Sequence, residues 1–271
     1  MLDLVVSQGR VADRTAGAID GARRTGETLA ARTGRPVHTI GSPSEPRTDD
    51  WAEALPAARS TLRAVRDAVG SALDAGRVPV LAASTCATSV ATLPLVAAHR
   101  PDAVVLWFDA HADFNTPQTT YSGYLGGMVL AAGCGLWDSG HGAGVDPGNV
   151  VLVGARDIDE AERALLDTHG VRVLSPAQST PERVADLVAG RDVWVHVDWD
   201  VLEPGWVPTA YRVPEGLHPE QVAALLAAVP VERLVGLELA ELEVSGVAAD
   251  DARAVATVLD TAGPLVSRLA R

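Results

Sequence analysis

Apolar residues in this chain gather in eight short runs separated by longer stretches of mixed polarity. The runs fall at residues 2–6, 36–40, 78–82, 104–108, 150–154, 171–174, 193–197 and 233–239. They are rich in Val and Leu with little polar alternation, the pattern of strands covered on both faces. Between them, apolar spacing predicts helices at 16–32, 57–75, 87–100, 123–132 and 250–270, the second stopping at Gly76. Residues 41–50 and the Gly-rich stretch 133–148 read as loops, the first as the border of a pocket. Strands alternating with helices predict an α/β fold of three layers: a mostly parallel central sheet of about eight strands with helices on both faces. No linker, repeat or low-complexity tract interrupts the pattern, so residues 1–271 are expected to form a single domain.

Composition narrows what such a domain can do. Hydrophobic residues make up 47% and aromatics 4%, so the core has to be built from Ala, Val and Leu. All 22 basic residues are Arg, a usage that points to a biased genome rather than to a function. A net charge of −13 argues against nucleic acid or an anionic membrane as partner and is compatible with a cationic substrate. No apolar run reaches about 18 residues and no charged-then-apolar leader is evident, so a soluble protein without an export signal is expected. Two cysteines, Cys86 and Cys134, cannot build a disulfide framework, and a reducing cytoplasm is the simplest setting.

Chemistry concentrates where two of the apolar runs break. The run at 104–108 opens into Asp109-Ala110-His111-Ala112-Asp113. In extended backbone alternate side chains point the same way, so Asp109, His111 and Asp113 are expected to converge at the carboxyl end of a strand. Open α/β sheets place their ligands at that end. The run at 193–197 repeats the logic with Asp198-Trp199-Asp200. Two carboxylate-rich clusters brought together by a parallel sheet would repel without cations, which predicts a site for hard divalent ions such as manganese.

These motifs resemble those of the arginase (ureohydrolase) family, whose two-manganese site uses Asp-Ala-His-x-Asp and a later Asp-x-Asp. The likeness continues through Asp113-Phe114-Asn115-Thr116-Pro117, Thr119-Thr120-Tyr121-Ser122-Gly123, Gly154-Ala155-Arg156-Asp157-Ile158-Asp159 and Leu237-Glu238-Leu239-Ala240-Glu241. It implies two Mn2+ per chain and hydroxide between them as nucleophile. Asp109 and Asp198 would bridge the ions, Asp113 would complete one shell, and His111 with Asp200 the other. It further implies that Glu241 pairs with a guanidino group. Asn115, Ser122 and Asp159, with Thr120 nearby, would meet the α-carboxylate and α-ammonium of an arginine-like amino acid. Family trimers rest on a tail beyond the last helix; this chain stops at Arg271, so a monomer is expected.

The chain departs from the family at two places. Where Gly-Gly-Asp-His supplies the first ligand, the run is Ala83-Ser84-Thr85-Cys86, which puts Cys86 in the histidine's place. A thiolate can bind a divalent metal, and a free Cys is also a common buried filler; with the other ligand positions kept, ligation is the expectation. The family also carries an acid–base His shortly after the Ser-Gly of its substrate loop, and here Gly126 stands in that position. His141 is an alternative proton carrier or ordinary loop surface, and His196 a support for the site or a satisfied core imidazole. Loss of the shuttle moves the expected substrate from arginine to the less basic Nω-hydroxy-L-arginine, hydrolysed to L-ornithine and hydroxyurea. Another guanidino compound as substrate, or a weakly catalytic relative that binds a guanidino ligand or metal, are the alternatives.

Overall fold

A computed structural model describes residues 2–270. Its strands are β1 (Leu2–Ser7), β2 (Val37–Ile40), β3 (Val78–Ala82), β4 (Val104–Phe108), β5 (Val150–Val153), β6 (Arg172–Leu174), β7 (Val193–Asp198) and β8 (Leu234–Ala240). They form one sheet in the order β2-β1-β3-β8-β7-β4-β5-β6, and every pair is parallel. The expected α/β sheet of eight strands is therefore present, and it is wholly rather than mostly parallel.

Both faces are covered because the central strands are apolar on both. All five side chains of β4 are fully buried. On one face lie α2 (Trp51–Asp74), α3 (Ser89–His99), α4 (Val129–Gly133) and α5 (Glu160–His169). On the other lie α1 (Gly17–Thr33), α6 (Pro181–Val188), α7 (Pro219–Ala227) and α8 (Ala248–Leu269). Among the described residues no helix is long and apolar enough to cross a membrane.

Two helices differ from expectation. α2 starts at Trp51 rather than 57, because the Asp50 carboxylate caps it by accepting from the amides of Ala52 and Glu53 at 2.9 and 3.2 Å. Residues 123–125 are loop rather than helix, followed by a short 3₁₀ turn over Gly126–Met128. There Gly123 adopts φ +62°, and the loop backbone is tied elsewhere, Asn115 donating to the Gly127 carbonyl and Trp51 to that of Gly123. An apolar run with two adjacent glycines yields to those tertiary bonds.

Candidate active site

Strand order decides which loops meet. β3, β8, β7, β4 and β5 are consecutive neighbours. Ala82 pairs with Leu239, Leu239 with Val197, Val197 with Phe108 and Phe108 with Val153, so five carboxyl ends lie level. The strand ends and the loops leaving them carry Cys86, Glu241, Asp198 with Asp200, Asp109 through Asn115, and Asp157 with Asp159. They enclose a cavity of about 160 Å³. The turn out of β5 is made by Gly154 at φ +89°, where a Cβ would stand 2.6 Å from Val201 Cγ2. Only glycine fits that turn.

β4 stops at Phe108, so Asp109, His111 and Asp113 converge from a loop and not from an extended strand end. The loop curls because Asp109 Oδ1 accepts the His111 amide at 2.7 Å. Its other oxygen takes the Trp107 indole N–H at 3.0 Å. Asp198 and Asp200 meet in the same way: Asp198 closes a 3₁₀ turn by accepting the Asp200 amide at 2.7 Å. Asp200 in turn accepts from Ala110 at 3.1 Å, locking the two clusters together. His111 Nδ1 lies 3.2 Å from Asp109 Oδ1 and 3.1 Å from Asp200 Oδ2. Asp113 and Glu241 have φ of +51° and +64°, a region that residues with side chains seldom occupy and that clusters at functional sites.

Cys86 is fully enclosed. Its amide donates to Glu241 Oε1 at 2.9 Å and its thiol to Asp198 Oδ2 at 3.1 Å, with Sγ 3.2 Å from His196 Nε2. His196 stacks on Trp107, 3.6 Å between ring centroids, and its Nδ1 meets Glu238 Oε2 at 2.8 Å. Ser89 and Thr92 also donate to Glu238. His196 is thus both a satisfied core imidazole and the neighbour that orients Cys86. Burial, then the charge of Asp198, pushes the Cys86 thiol well above its usual range, so it keeps its proton until a cation arrives.

The donor set fits divalent cations. Cys86, Asp109 and Asp198 bring one ligand atom each within 4.8 Å of one another, and so do Asp109, His111 and Asp200. Asp109 is common to both groups; Asp198 falls in the first only. Asp113 joins neither at that distance but lines the cavity with Oδ2 buried and unpartnered. Burial and the neighbouring Asp109 charge raise the carboxyls of Asp113 and Asp200, and burial with the charge of Asp200 raises that of Asp198. Burial would lower His111, but the charges of Asp200 and Asp109 prevail and raise it. Four aspartates against one imidazole lack positive charge, which hard cations supply.

The expected substrate residues surround the cavity. Asn115, Ser122, Asp159 and Glu241 line it. Asn115 Oδ1 is buried without a partner, and Asp159 stands at the N-cap of α5 yet makes no side-chain cap bond, leaving its carboxylate free. Thr120 is not in the lining; its hydroxyl accepts the Gly123 amide at 3.1 Å and closes the loop. His141 lies away from the cavity, half-buried, its carbonyl accepting from Arg66. Glu162, Tyr124 and Tyr211 also line the cavity and were not singled out from sequence. Glu162 had a usable signal, since it sits one helical turn after Asp159. It accepts the Phe114 amide at 2.7 Å.

A parallel α/β sheet whose central strand ends bring a carboxylate-rich donor set to one cavity suits a metal-dependent enzyme. The chain belongs to the arginase family, whose model matches residues 22–262. It is 53% identical to the Nω-hydroxy-L-arginine amidinohydrolase of Streptomyces lavendulae over 97% of both chains. It is 31% identical to the arginase of Bacillus caldovelox over 52% of each. Among solved structures, Entamoeba histolytica arginase with L-ornithine superposes with TM-score 0.85 at 19% identity, covering 98% of this chain and 97% of that one.

Proposed function

We propose that this protein hydrolyses Nω-hydroxy-L-arginine to L-ornithine and hydroxyurea with two manganese ions per chain. It would act as a cytoplasmic monomer, residues 1–271 forming one domain, with the hydroxyurea entering antibiotic (D-cycloserine) biosynthesis. The observation that carries the substrate assignment is a pair: Cys86 in the cation cluster, and Gly126 putting no imidazole at its point of the cavity wall. The one lining histidine among the described residues, His111, belongs to the cation cluster. A plain guanidinium is strongly basic and its departing amine needs a proton, so a site lacking the acid loses on the order of 10²–10⁴ in rate. An N-hydroxyguanidine is less basic, and more of it is neutral and electrophilic near pH 7. The 53% identity to an amidinohydrolase named for that substrate supports the same assignment.

Cys86, Asp109, Asp113 and Asp198 would hold one ion, and His111 and Asp200 with the shared Asp109 and Asp198 the other. Ions bound there would supply Lewis acidity and lower the pKa of water at the site. Glu241, buried beside Cys86, would pair with the guanidino group away from bulk water, where a charge-assisted hydrogen bond is strong. Asn115 Oδ1 and Asp159 would accept from the α-ammonium and Ser122 would donate to the α-carboxylate, with Thr120 keeping their loop closed. Those contacts favour an amino acid over agmatine. With manganese added, hydroxyurea release from hydroxyarginine should exceed urea release from arginine by at least about 100-fold in kcat/KM. Equal rates would refute the assignment.

A further inference from the structure

Resting on the hydroxyarginine reaction above, we propose that Tyr124 determines the specificity of this pocket. Its ring takes up the space that a side chain at position 126 would need, and its hydroxyl, held on Glu241, receives the hydroxyl-bearing end of the guanidino group.

The steric half follows from Gly126. This glycine is buried in the cavity wall, and a Cβ built on it would stand 2.9 Å from Tyr124 Cζ and 3.1 Å from Cδ1, closer still to Cε1. Any larger residue at 126 must therefore move the ring. Tyr124 is held against moving from several sides. Its amide donates to Ser122 Oγ at 3.2 Å and its hydroxyl to Glu241 Oε1 at 3.1 Å. The Arg14 guanidinium lies 4.8 Å from the ring centroid and is itself anchored on the carbonyls of Asp49 and Ser122 at 2.9 and 3.2 Å. Tyr124 and Gly126 are one coupled choice: the ring fits only because position 126 has no side chain.

The chemical half follows from what a phenol offers. With its O–H donated to Glu241, Tyr124 Oη still has lone pairs to accept another hydrogen bond. Burial and the Glu241 charge raise this phenol well above its usual range, so at neutral pH it neither gives up a proton nor carries one. It provides a fixed dipole in place of a proton shuttle. An N-hydroxyguanidine paired with Glu241 brings an O–H to that dipole, whereas arginine brings none. A site shaped around a substrate hydroxyl discriminates against the analogue lacking it, because a lone pair of the buried Tyr124 Oη then goes unused while its O–H stays on Glu241.

Two measurements decide the matter. Tyr124→Phe keeps the ring and removes the dipole. With metal content and Tm unchanged, it should lower kcat/KM for Nω-hydroxy-L-arginine about 10–100-fold more than it lowers kcat/KM for arginine, since both substrates share the Glu241 contact. A wild-type ratio between the two substrates would overturn the chemical half. Separately, Gly126→Ala should lower Tm by about 5 °C in the wild-type background and much less in Tyr124→Ala. Equal shifts in both backgrounds would overturn the steric half. If the wild-type protein shows no preference for hydroxyarginine, the proposed reaction fails and takes the chemical half with it. The Tm cycle, which needs no substrate, still decides the steric half.

Discussion

Replacing Glu162 with Gln isolates what it costs to bury one acid at the edge of this cavity. Glu162 is 4% exposed and holds the Phe114 amide at 2.7 Å. Burial raises its carboxyl from the ordinary 4.5 to about 7, with the Phe114 hydrogen bond opposing and the Asp159 charge adding. Between those two values the folded chain keeps a proton that the unfolded chain has released, so stability falls as pH rises from 4.5 to about 7 and is level above. A shift of that size corresponds to about 3 kcal/mol. Gln keeps an oxygen acceptor for Phe114 and cannot ionise, so the variant lacks this fall. Whatever its offset at pH 4.5, the variant should gain about 3 kcal/mol on wild type by pH 8. Urea unfolding of both proteins, with chelator present and ionic strength fixed, measures the difference across that range. A difference constant to within about 0.5 kcal/mol would show that the buried carboxyl does not hold its proton.

Two further outcomes test the site and its frame. Cys86→Ala should reduce bound manganese from about two ions per chain to about one by elemental analysis after dialysis; two tightly held ions would remove Cys86 from the ligand set. Gly154→Ala combines a left-handed backbone with a Cβ 2.6 Å from Val201 Cγ2. It should cost about 2–4 kcal/mol in urea unfolding, and a loss below about 0.5 kcal/mol would mean the β5 turn has slack.

The central strands were legible because a strand buried on both faces is written as an uninterrupted Val- and Leu-rich run; β2 and β6, at the sheet edges and partly exposed, were legible as shorter apolar runs. The aspartates were legible because each cluster directly follows such a run. The manner of their convergence was not. Asp109 and Asp198 each accept an amide two residues ahead, and those local bonds replace the extended alternation that spacing suggested. Sheet order was equally hidden in the one-dimensional pattern. β8, the last strand in the chain, inserts between β3 and β7, and only that insertion puts Glu241 against Cys86. The role of Tyr124 lies in the volume it shares with Gly126, a relation that residue identity does not express until both are placed. The start of α2 was missed for a simpler reason: the Asp50 cap lies beyond the apolar periodicity.

The left-handed backbones at Asp113 and Glu241 bear on how such a protein can change over generations. Each holds a conformation costing about 1–3 kcal/mol, and Glu tolerates it less well than Asp or Asn. The sheet needs neither acid: the cores on its two faces are built from other residues. A lineage released from selection for hydrolysis would relax the chain by replacing Glu241 with Gly or Asn, losing the strain and the proposed guanidino contact in one step. A stable, silent descendant with the same fold is therefore a short downhill walk from this sequence, whereas the return path climbs.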